Sequence, residues 1–256
     1  MGQPMETKTT GSGFGGCTVH ALRIVACVLL AGGIPLSVSA QTTVTFASGP
    51  SWSVLDAANT PVGTAQNVCL NATNPSPCPV GATQWGYGAP GWAQSLAAVP
   101  GATWIWAPGF TGASTPASLA QYTFTNTLTL GGTPLSGTIF MLADDYVELR
   151  VNGTLVGTVG SITSPGLSGA GLPNLVQFNV LANLVAGVNT VSFTAQNGPD
   201  SFSGVPNANY SQNPAGVVFG GTLTSAAPVP TLSSWAMLVM SLLLALTVAR
   251  RLRPAA

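Results

Sequence analysis

The sequence predicts an antiparallel β-sandwich, and three observations lead to this fold class. Gly and Pro are frequent, with 31 and 20 residues in a chain of 256, which suits short strands joined by turns. Stretches in which apolar and polar side chains alternate recur along the chain, and this period of two is typical of half-buried strands. Residues 41–226 contain no convincing amphipathic helix pattern, so about ten strands account for the domain.

The strands can be read off in chain order. Residues 43–47 and 52–55 form an opening pair, and residues 103–107 form a short apolar strand. In YTFTNTLTL, Tyr122, Phe124, Leu128 and Leu130 share one face and four threonines share the other. Further strands are predicted at residues 137–143, 146–151, 154–159, 176–180, 190–195 and 216–223. Residues 56–100 are predicted to be irregular and rich in loops.

The run DDYVELRVNG predicts a hairpin. Val147, Leu149 and Val151 point to one side, and the polar residues between them point to the other. Asn152-Gly153 then supplies the two residues that a type I′ turn prefers, because both central positions need a positive φ.

The first 40 residues have the features of an export signal. Lys8 and Arg23 precede an apolar run over residues 24–34, and Val38-Ser39-Ala40 offers small residues before a cut at Gln41. A first transmembrane helix is the alternative. We therefore divide the chain into a signal peptide (1–40), a domain (41–226, clearest from residue 102) and a C-terminal segment (227–256).

Cys69 and Cys78 are the two cysteines that remain after such a cut, and they flank a short loop rich in Asn, Pro and Ser. Outside the cytoplasm, two such cysteines are expected to form a disulfide. A metal site is the alternative, but the exported region has no histidine and no second cysteine pair to complete it.

The charge of the exported region narrows the function classes. Between Gln41 and Pro228 there are one arginine and five acidic residues, a net charge of −4, and no lysine or histidine. Without a basic patch, nucleic acid is not expected as a partner. Serine triads that use a histidine base are excluded, and we assign no catalytic residue.

Three stretches resemble one family of sandwich domains. ADDYVELRVNGTLVG, FNVLANLVAGVNTVSFTAQN and NPAGVVFGGTL, together with the upstream WIWAPG, resemble the galactose-binding-like jelly-roll sandwich. The resemblance covers residues 102–224. It implies the fold. It does not imply a particular ligand, because this fold hosts many unrelated functions.

Aromatic residues are the candidates for ligand binding. Trp85, Tyr87 and Trp92 lie among glycines in a predicted loop, and Tyr210 could line the same rim. Exposed Trp and Tyr rings can stack on the pyranose rings of a polysaccharide. The alternative is that the tryptophans fill the core, which we expect of Trp104 and Trp106.

Asp144 and Asp145 are candidate ligands for a structural calcium ion, which takes oxygen ligands. Sandwiches of the resembled family often hold such an ion. The alternative is a turn in which an aspartate caps the backbone. No other cofactor is expected.

The C-terminal segment predicts a membrane helix. Residues 232–249 carry no charge, and at about 1.5 Å per residue they would reach across about 27 Å of bilayer core. Trp235 stands at one end of this run, and Arg250, Arg251 and Arg253 form a cluster at its other end, residues 250–253. Such a cluster places the C-terminus in the cytoplasm, because positively charged residues are enriched on that side of the membrane.

The stretch VPTLSSW at residues 229–235 resembles the IPTL-CTERM signal, a relative of PEP-CTERM. The matching residues are Pro230, Thr231, Leu232, Ser233 and Trp235, while Val229 replaces the usual Ile and Ser234 stands where an acid is common. The resemblance implies an exosortase-like transpeptidase as a partner. It also implies an inner-membrane intermediate in a Gram-negative bacterium, followed by delivery to the cell surface or the extracellular matrix. A permanent single-pass anchor is the alternative.

These features favour an exported, non-enzymatic protein that displays a sandwich and binds carbohydrate. A structural matrix protein without a specific ligand is the second hypothesis. An envelope hydrolase that uses carboxylates such as Glu148 is the third.

Overall fold

The computed structural model describes residues 40–70, 78–86, 92, 95–115, 117–169, 172–227 and 234–251, with no side-chain description at 234–237, 249 and 251. The predicted signal peptide lies outside these residues apart from its last position, and so do Tyr87, residues 229–233 and Arg253.

Thirteen strands and two helices are found in the described residues. In chain order the strands are β1 (Gln41–Ala47), β2 (Ser53–Asp56), β3 (Pro61–Thr64), β4 (Gln66–Leu70), β5 (Thr83–Trp85), β6 (Ile105–Trp106), β7 (Gln121–Leu130), β8 (Pro134–Asp144), β9 (Tyr146–Val151), β10 (Thr154–Gly160), β11 (Val176–Asn179), β12 (Gly187–Gln196) and β13 (Gly216–Ala226). The helices are α1 (Asp200–Ser203) and α2 (Ser234–Arg251), and short 3-10 turns occur at Pro165–Leu167 and Leu181–Asn183.

The strands form two sheets, as the sequence predicts for a sandwich. The first sheet has the order β11-β8-β13-β6-β4-β5, with β1 also paired to β13, and the second has the order β10-β9-β12-β7-β2-β3. The β4–β5 pair is parallel, and the other strand pairs are antiparallel. The predicted fold class, an antiparallel β-sandwich, is therefore confirmed.

The prediction that residues 56–100 are irregular is wrong in part, because β3, β4 and β5 lie in this region. All four residues of β3 are exposed, so no alternation marks that strand in the sequence. β5 has three residues and is held in place by its parallel partner β4.

The strand register defines two ends of the sandwich. At one end Gln41 pairs with Ala226, and Ala227 N–H donates to the Ala40 carbonyl at 2.6 Å. At the other end Gly216 pairs with Asp144, and the chain crosses to the second sheet, where Tyr146 pairs with Gln196. We call these the tail end and the distal end, because the C-terminal segment leaves from the first of them.

The hairpin β9–β10 has the predicted geometry. Val147, Leu149 and Val151 are buried, and the residues between them are half-buried on the solvent side. Asn152 and Gly153 have φ values of 51° and 79°, the left-handed region that a type I′ turn requires.

Aromatic rings join the two sheets in the core. Phe193 of β12 stacks on Phe219 of β13, with ring centroids 3.6 Å apart and planes inclined by 6°. Trp52, which precedes β2, meets both rings edge-on at 5.7 and 4.6 Å. Its indole N–H donates to the Ala47 carbonyl at 3.0 Å, so the ring is hydrogen-bonded although it is buried.

The predicted disulfide between Cys69 and Cys78 is confirmed, with the two Cα atoms 5.9 Å apart. It joins β4 to the residues that lead into β5. A cross-link of this kind restricts the unfolded chain more than the folded one and so favours the fold.

Helix α2 coincides with most of the predicted membrane segment. Its large apolar side chains from Leu238 to Val248 are between 50% and 66% exposed. Among the described residues, no helix combines the length and the apolarity needed to cross a bilayer.

Candidate functional site

A depression of about 480 Å³ lies at the distal end of the second sheet. Its lining comprises Gln121, Tyr146, Glu148, Thr194 and Gln196 from three neighbouring strands, together with the loop of residues 160–163. The strand residues project from the solvent side, since the residues next to them along β9 and β12 are buried. We call this feature the distal depression.

Hydroxyl and amide groups dominate the lining of the distal depression. Thr194 Oγ1 lies 2.9 Å from Thr123 Oγ1 across the β7–β12 pair, and Gln196 Nε2 donates to the Leu119 carbonyl at 3.4 Å. Burial and then the nearby Glu148 carboxylate raise the pKa of Tyr146, so its hydroxyl stays protonated. The surface can therefore donate and accept hydrogen bonds while remaining largely uncharged.

Glu148 forms an ion pair with Arg150, its neighbour on the same face of β9, with an Nε–Oε1 distance of 2.5 Å. Arg150 also donates to the Gly153 carbonyl at 3.1 Å. The contacts orient Arg150 toward the hairpin turn and balance the acidic charge at the depression.

Asp144 and Asp145 lie at the crossover from β8 to β9, and they are 6% and 5% exposed. The Trp92 indole N–H donates to Asp144 Oδ2 at 2.9 Å. Asp145 Oδ2 accepts from Gly198 N–H at 2.7 Å, and Asp145 Oδ1 accepts from the Ser168 hydroxyl. Burial first, and then the charge of Asp145, raise the pKa of Asp144 well above its usual range.

This surrounding does not fit a calcium site. Three of the four carboxylate oxygens face N–H or O–H donors, whereas Ca²⁺ requires six to eight oxygen ligands that turn lone pairs toward it. Within the described residues, no group of three or more acidic, histidine or cysteine side chains could hold a metal ion. The calcium prediction for Asp144 and Asp145 thus rests on the sequence alone, and the contacts agree with the alternative of an aspartate that caps the backbone.

We expect that millimolar calcium, compared with EDTA, does not raise the Tm of the protein. A site filled at a hundred times its Kd would stabilise the fold by about 2.7 kcal/mol, which thermal unfolding followed by circular dichroism would resolve. A calcium-dependent rise in Tm that is lost in Asp145→Asn would contradict this expectation.

The predicted aromatic platform is not exposed. Trp85 and Tyr210 are 0% exposed and Trp92 is 2% exposed, so none of the three presents a ring face to solvent. Tyr87 lies outside the described residues. Trp104 and Trp106 are buried as expected.

These rings are buried because they pack against polar and aromatic partners from other parts of the chain. Trp85 stacks on Tyr210 at 5.1 Å, and its indole N–H donates to the Ala215 carbonyl at 2.8 Å. Trp92 stacks on Trp104 at 4.3 Å. A Cβ at Gly216 would come within 2.8 Å of the Trp92 ring, so the glycine leaves room for this stack.

Sequence reasoning did not find the distal depression. The alternation along residues 146–151 predicts only that Tyr146 and Glu148 face solvent, and residues 160–163 carry no motif. Gln121 begins β7 and Gln196 ends β12, and it is the pairing of these two strands, which no local pattern states, that brings the two residues together.

Comparison with known proteins decides the nature of the C-terminal segment. Residues 227–254 match the model of the IPTL-CTERM motif. The chain carries an IPTL-CTERM tail. The resemblance that VPTLSSW shows to this signal is thereby confirmed. No curated protein matches the chain.

Several solved structures are similar to parts of the chain. An alpha-L-rhamnosidase of Streptomyces avermitilis in complex with L-rhamnose shares 21% identity at a TM-score of 0.34, over 56% of this chain and 13% of that enzyme. A beta-glucuronidase of Bifidobacterium dentium shares 13% identity at a TM-score of 0.32, over 73% of this chain and 30% of the enzyme. The CBM36-1 domain of a xylanase from the hindgut metagenome of Trinervitermes trinervoides shares 12% identity at a TM-score of 0.25, over 74% of this chain and 100% of the domain. The chain thus spans less than a third of either enzyme.

Proposed function

We propose that this is an exported, non-enzymatic protein that is sorted to the bacterial cell surface and displays a carbohydrate-binding β-sandwich. The observation that carries the proposal is the IPTL-CTERM match at residues 227–254. In this proposal an exosortase-like transpeptidase recognises the tail and cleaves it near residues 229–235. The uncharged run at residues 232–249 holds the precursor at the inner membrane until cleavage.

The strand pairing of the sandwich supports processing at both ends. β13 ends at Ala226, and its partner β1 begins at Gln41. A cut after Ala40 and a second cut within residues 229–235 therefore leave the described strand pairs of the two sheets intact, and the bond from Ala227 N–H to the Ala40 carbonyl is lost with the leader. Within the part of the chain that the structure describes, the strand pairs lie between Gln41 and Ala226.

The acidic side chains support a role without catalysis. Asp144 and Asp145 are buried and engaged by donors from the protein, and Glu148 is paired with Arg150. Because residues 41–228 contain no histidine or lysine, the usual general bases other than carboxylates are missing from the exported region.

Mass spectrometry of the mature protein isolated from cells tests the sorting proposal. We expect a C-terminus near Thr231, and we expect the double variant Pro230→Ala, Thr231→Ala to accumulate as an uncleaved precursor. Thr222→Ala, an exposed position on β13, is the matched control and should be processed normally. An intact Ala256 in the mature protein would instead identify a permanent anchor.

The chemistry of the distal depression supports the carbohydrate part of the proposal, since sugars are recognised by hydroxyl and amide groups around a half-buried aromatic ring. A pull-down with exopolysaccharide from the producing cells tests it. Absence of binding to any glycan would favour the structural matrix hypothesis.

A further inference from the structure

The distal depression has the size and the chemistry of a small binding site. Its volume of about 480 Å³ falls within the roughly 300–1,000 Å³ of ligand pockets. Side-chain amides of Gln121 and Gln196, the hydroxyl of Thr194 and the ring of Tyr146 meet there. Amides and hydroxyls both donate and accept, as a ligand rich in hydroxyl groups requires.

The charges at the depression select against an acidic ligand. Glu148 is its acidic lining residue, and the cation nearest to it along β9, Arg150, is already committed to Glu148 and to the Gly153 carbonyl. The exported region has no other cation. A uronic acid or phosphate group would therefore meet a carboxylate without a free positive partner.

Asp145 fixes the loops that form the rim. Its carboxylate accepts hydrogen bonds from Ser168 and Gly198, and its backbone carbonyl accepts one from Gly169 N–H at 2.8 Å. Gly160, which opens the 160–163 loop, has a φ of 85° and would bring a Cβ within 1.9 Å of the Asp145 carbonyl oxygen. A rim held in this way loses little conformational entropy when a ligand binds.

The topology places the depression far from the point at which the tail leaves. β13 runs 11 residues from the distal end to Ala226 at the tail end, a length of about 36 Å at 3.3 Å per residue. The distal depression therefore lies at the end of the sandwich opposite Ala226, after which the C-terminal segment follows in the sequence.

From these observations we propose that the distal depression is a binding site for a neutral, hydroxyl-rich glycan, presented at the end of the sandwich opposite the sorting tail. This inference rests on the proposed function and specifies its ligand class and its site. The buried Trp85, Trp92 and Tyr210 then have a structural role. The residues that contact the sugar are Gln121, Tyr146, Thr194 and Gln196.

A matched pair of arginine variants tests the site. Thr194 and Thr190 lie on the same face of β12, four residues or about 13 Å apart. Thr194 is paired with Glu148 across the β9–β12 ladder, so Thr194→Arg places a long side chain over the floor of the depression. Thr190→Arg adds the same charge and volume on the exposed face outside it.

The full chain is expressed in the producing bacterium, and the mature protein is tested against that bacterium's exopolysaccharide and an array of neutral and uronic-acid glycans. We expect the wild type to bind neutral glycans, Thr194→Arg to weaken binding about tenfold or more, and Thr190→Arg to change it less than about twofold. If Thr194→Arg does not fold, the double variant Gln121→Ala, Gln196→Ala replaces it and should show the same loss.

The possible outcomes distinguish a failure of the proposed site from a failure of the proposed function. Wild-type binding that both depression variants retain would overturn the site and leave the proposed function standing. A preference for uronic-acid glycans would overturn the neutral ligand class. A wild type that binds no glycan at all would overturn this inference together with the carbohydrate part of the proposed function.

Discussion

Replacing Phe219 by alanine is expected to lower the free energy of unfolding by about 3–5 kcal/mol. The Phe219 ring stacks on Phe193 of the opposite sheet at 3.6 Å and receives the edge of Trp52 at 4.6 Å. All three side chains are at most 1% exposed. Truncation therefore removes the contact between the sheets and leaves a cavity that rigid strands on both sides cannot fill.

The loss would be a large part of the total stability, which for a domain of this size is about 5–15 kcal/mol. Guanidinium unfolding under non-reducing conditions measures it, because the Cys69–Cys78 bond then contributes equally to both proteins. An unchanged m value would show that the change lies in stability and not in the extent of unfolding.

Phe140→Ala is the matched control. Phe140 lies on β8, opposite Gly220 in the neighbouring strand, and is packed against the core only in part. We expect a cost of about 1–2 kcal/mol there. Equal losses at the two positions would show that the stacked rings are not what joins the sheets.

The fold was predictable where one side of a strand is buried and the other is not. β7, β9 and β12 alternate clearly because each contributes alternate side chains to the core. β3 was not predictable, because none of its four side chains is buried. β5 has its Trp85 buried by partners that lie elsewhere in the sequence.

The candidate site was less predictable for the same reason. Glycines around Trp85 and Trp92 indicate a loop, but they do not say whether the loop folds outward or inward. The partners that bury these rings lie far along the chain: Asp144 is 52 residues from Trp92, and Ala215 is 130 residues from Trp85. The distal depression likewise depends on the register that brings Gln121 beside Gln196, which no local pattern states.

The C-terminal tail, in contrast, was predictable from the sequence. Its identity rests on a contiguous motif followed by an apolar run and arginines, so the residues themselves carry the signal and no tertiary contact is needed. This is why the IPTL-CTERM tail could be recognised from the sequence, whereas the distal depression could not.

The stability of the protein is expected to fall as the pH rises above about 4, and Asp144→Asn is expected to remove most of this fall. Burial and the charge of Asp145 raise the pKa of Asp144 in the folded state, while in the unfolded chain an aspartate titrates near pH 3.9. The folded state therefore binds the proton more tightly. Unfolding becomes easier as the pH increases from the unfolded pKa to the raised folded pKa, and it levels off above that value.

Each pKa unit between the two states is equivalent to about 1.4 kcal/mol, which makes this the largest electrostatic effect that we expect from a single side chain. In the wild type the Trp92 indole N–H donates to Asp144 Oδ2 at 2.9 Å. Asparagine keeps an amide oxygen that can accept this hydrogen bond, and its side chain carries no charge at any pH. Asp144→Asn should therefore be more stable than the wild type at pH 8 and close to it at pH 4. Denaturant unfolding across this pH range measures the difference.

Asp144→Ala distinguishes the charge from the hydrogen bond. Alanine removes the charge as asparagine does, but it leaves the buried Trp92 N–H without this acceptor, which costs about 1–3 kcal/mol. We expect Asp144→Ala to lose the pH dependence and yet to be less stable than Asp144→Asn at every pH. If the asparagine variant were the less stable protein at pH 8 as well, the buried carboxylate would be a net stabilising charge, and burial would not dominate its titration.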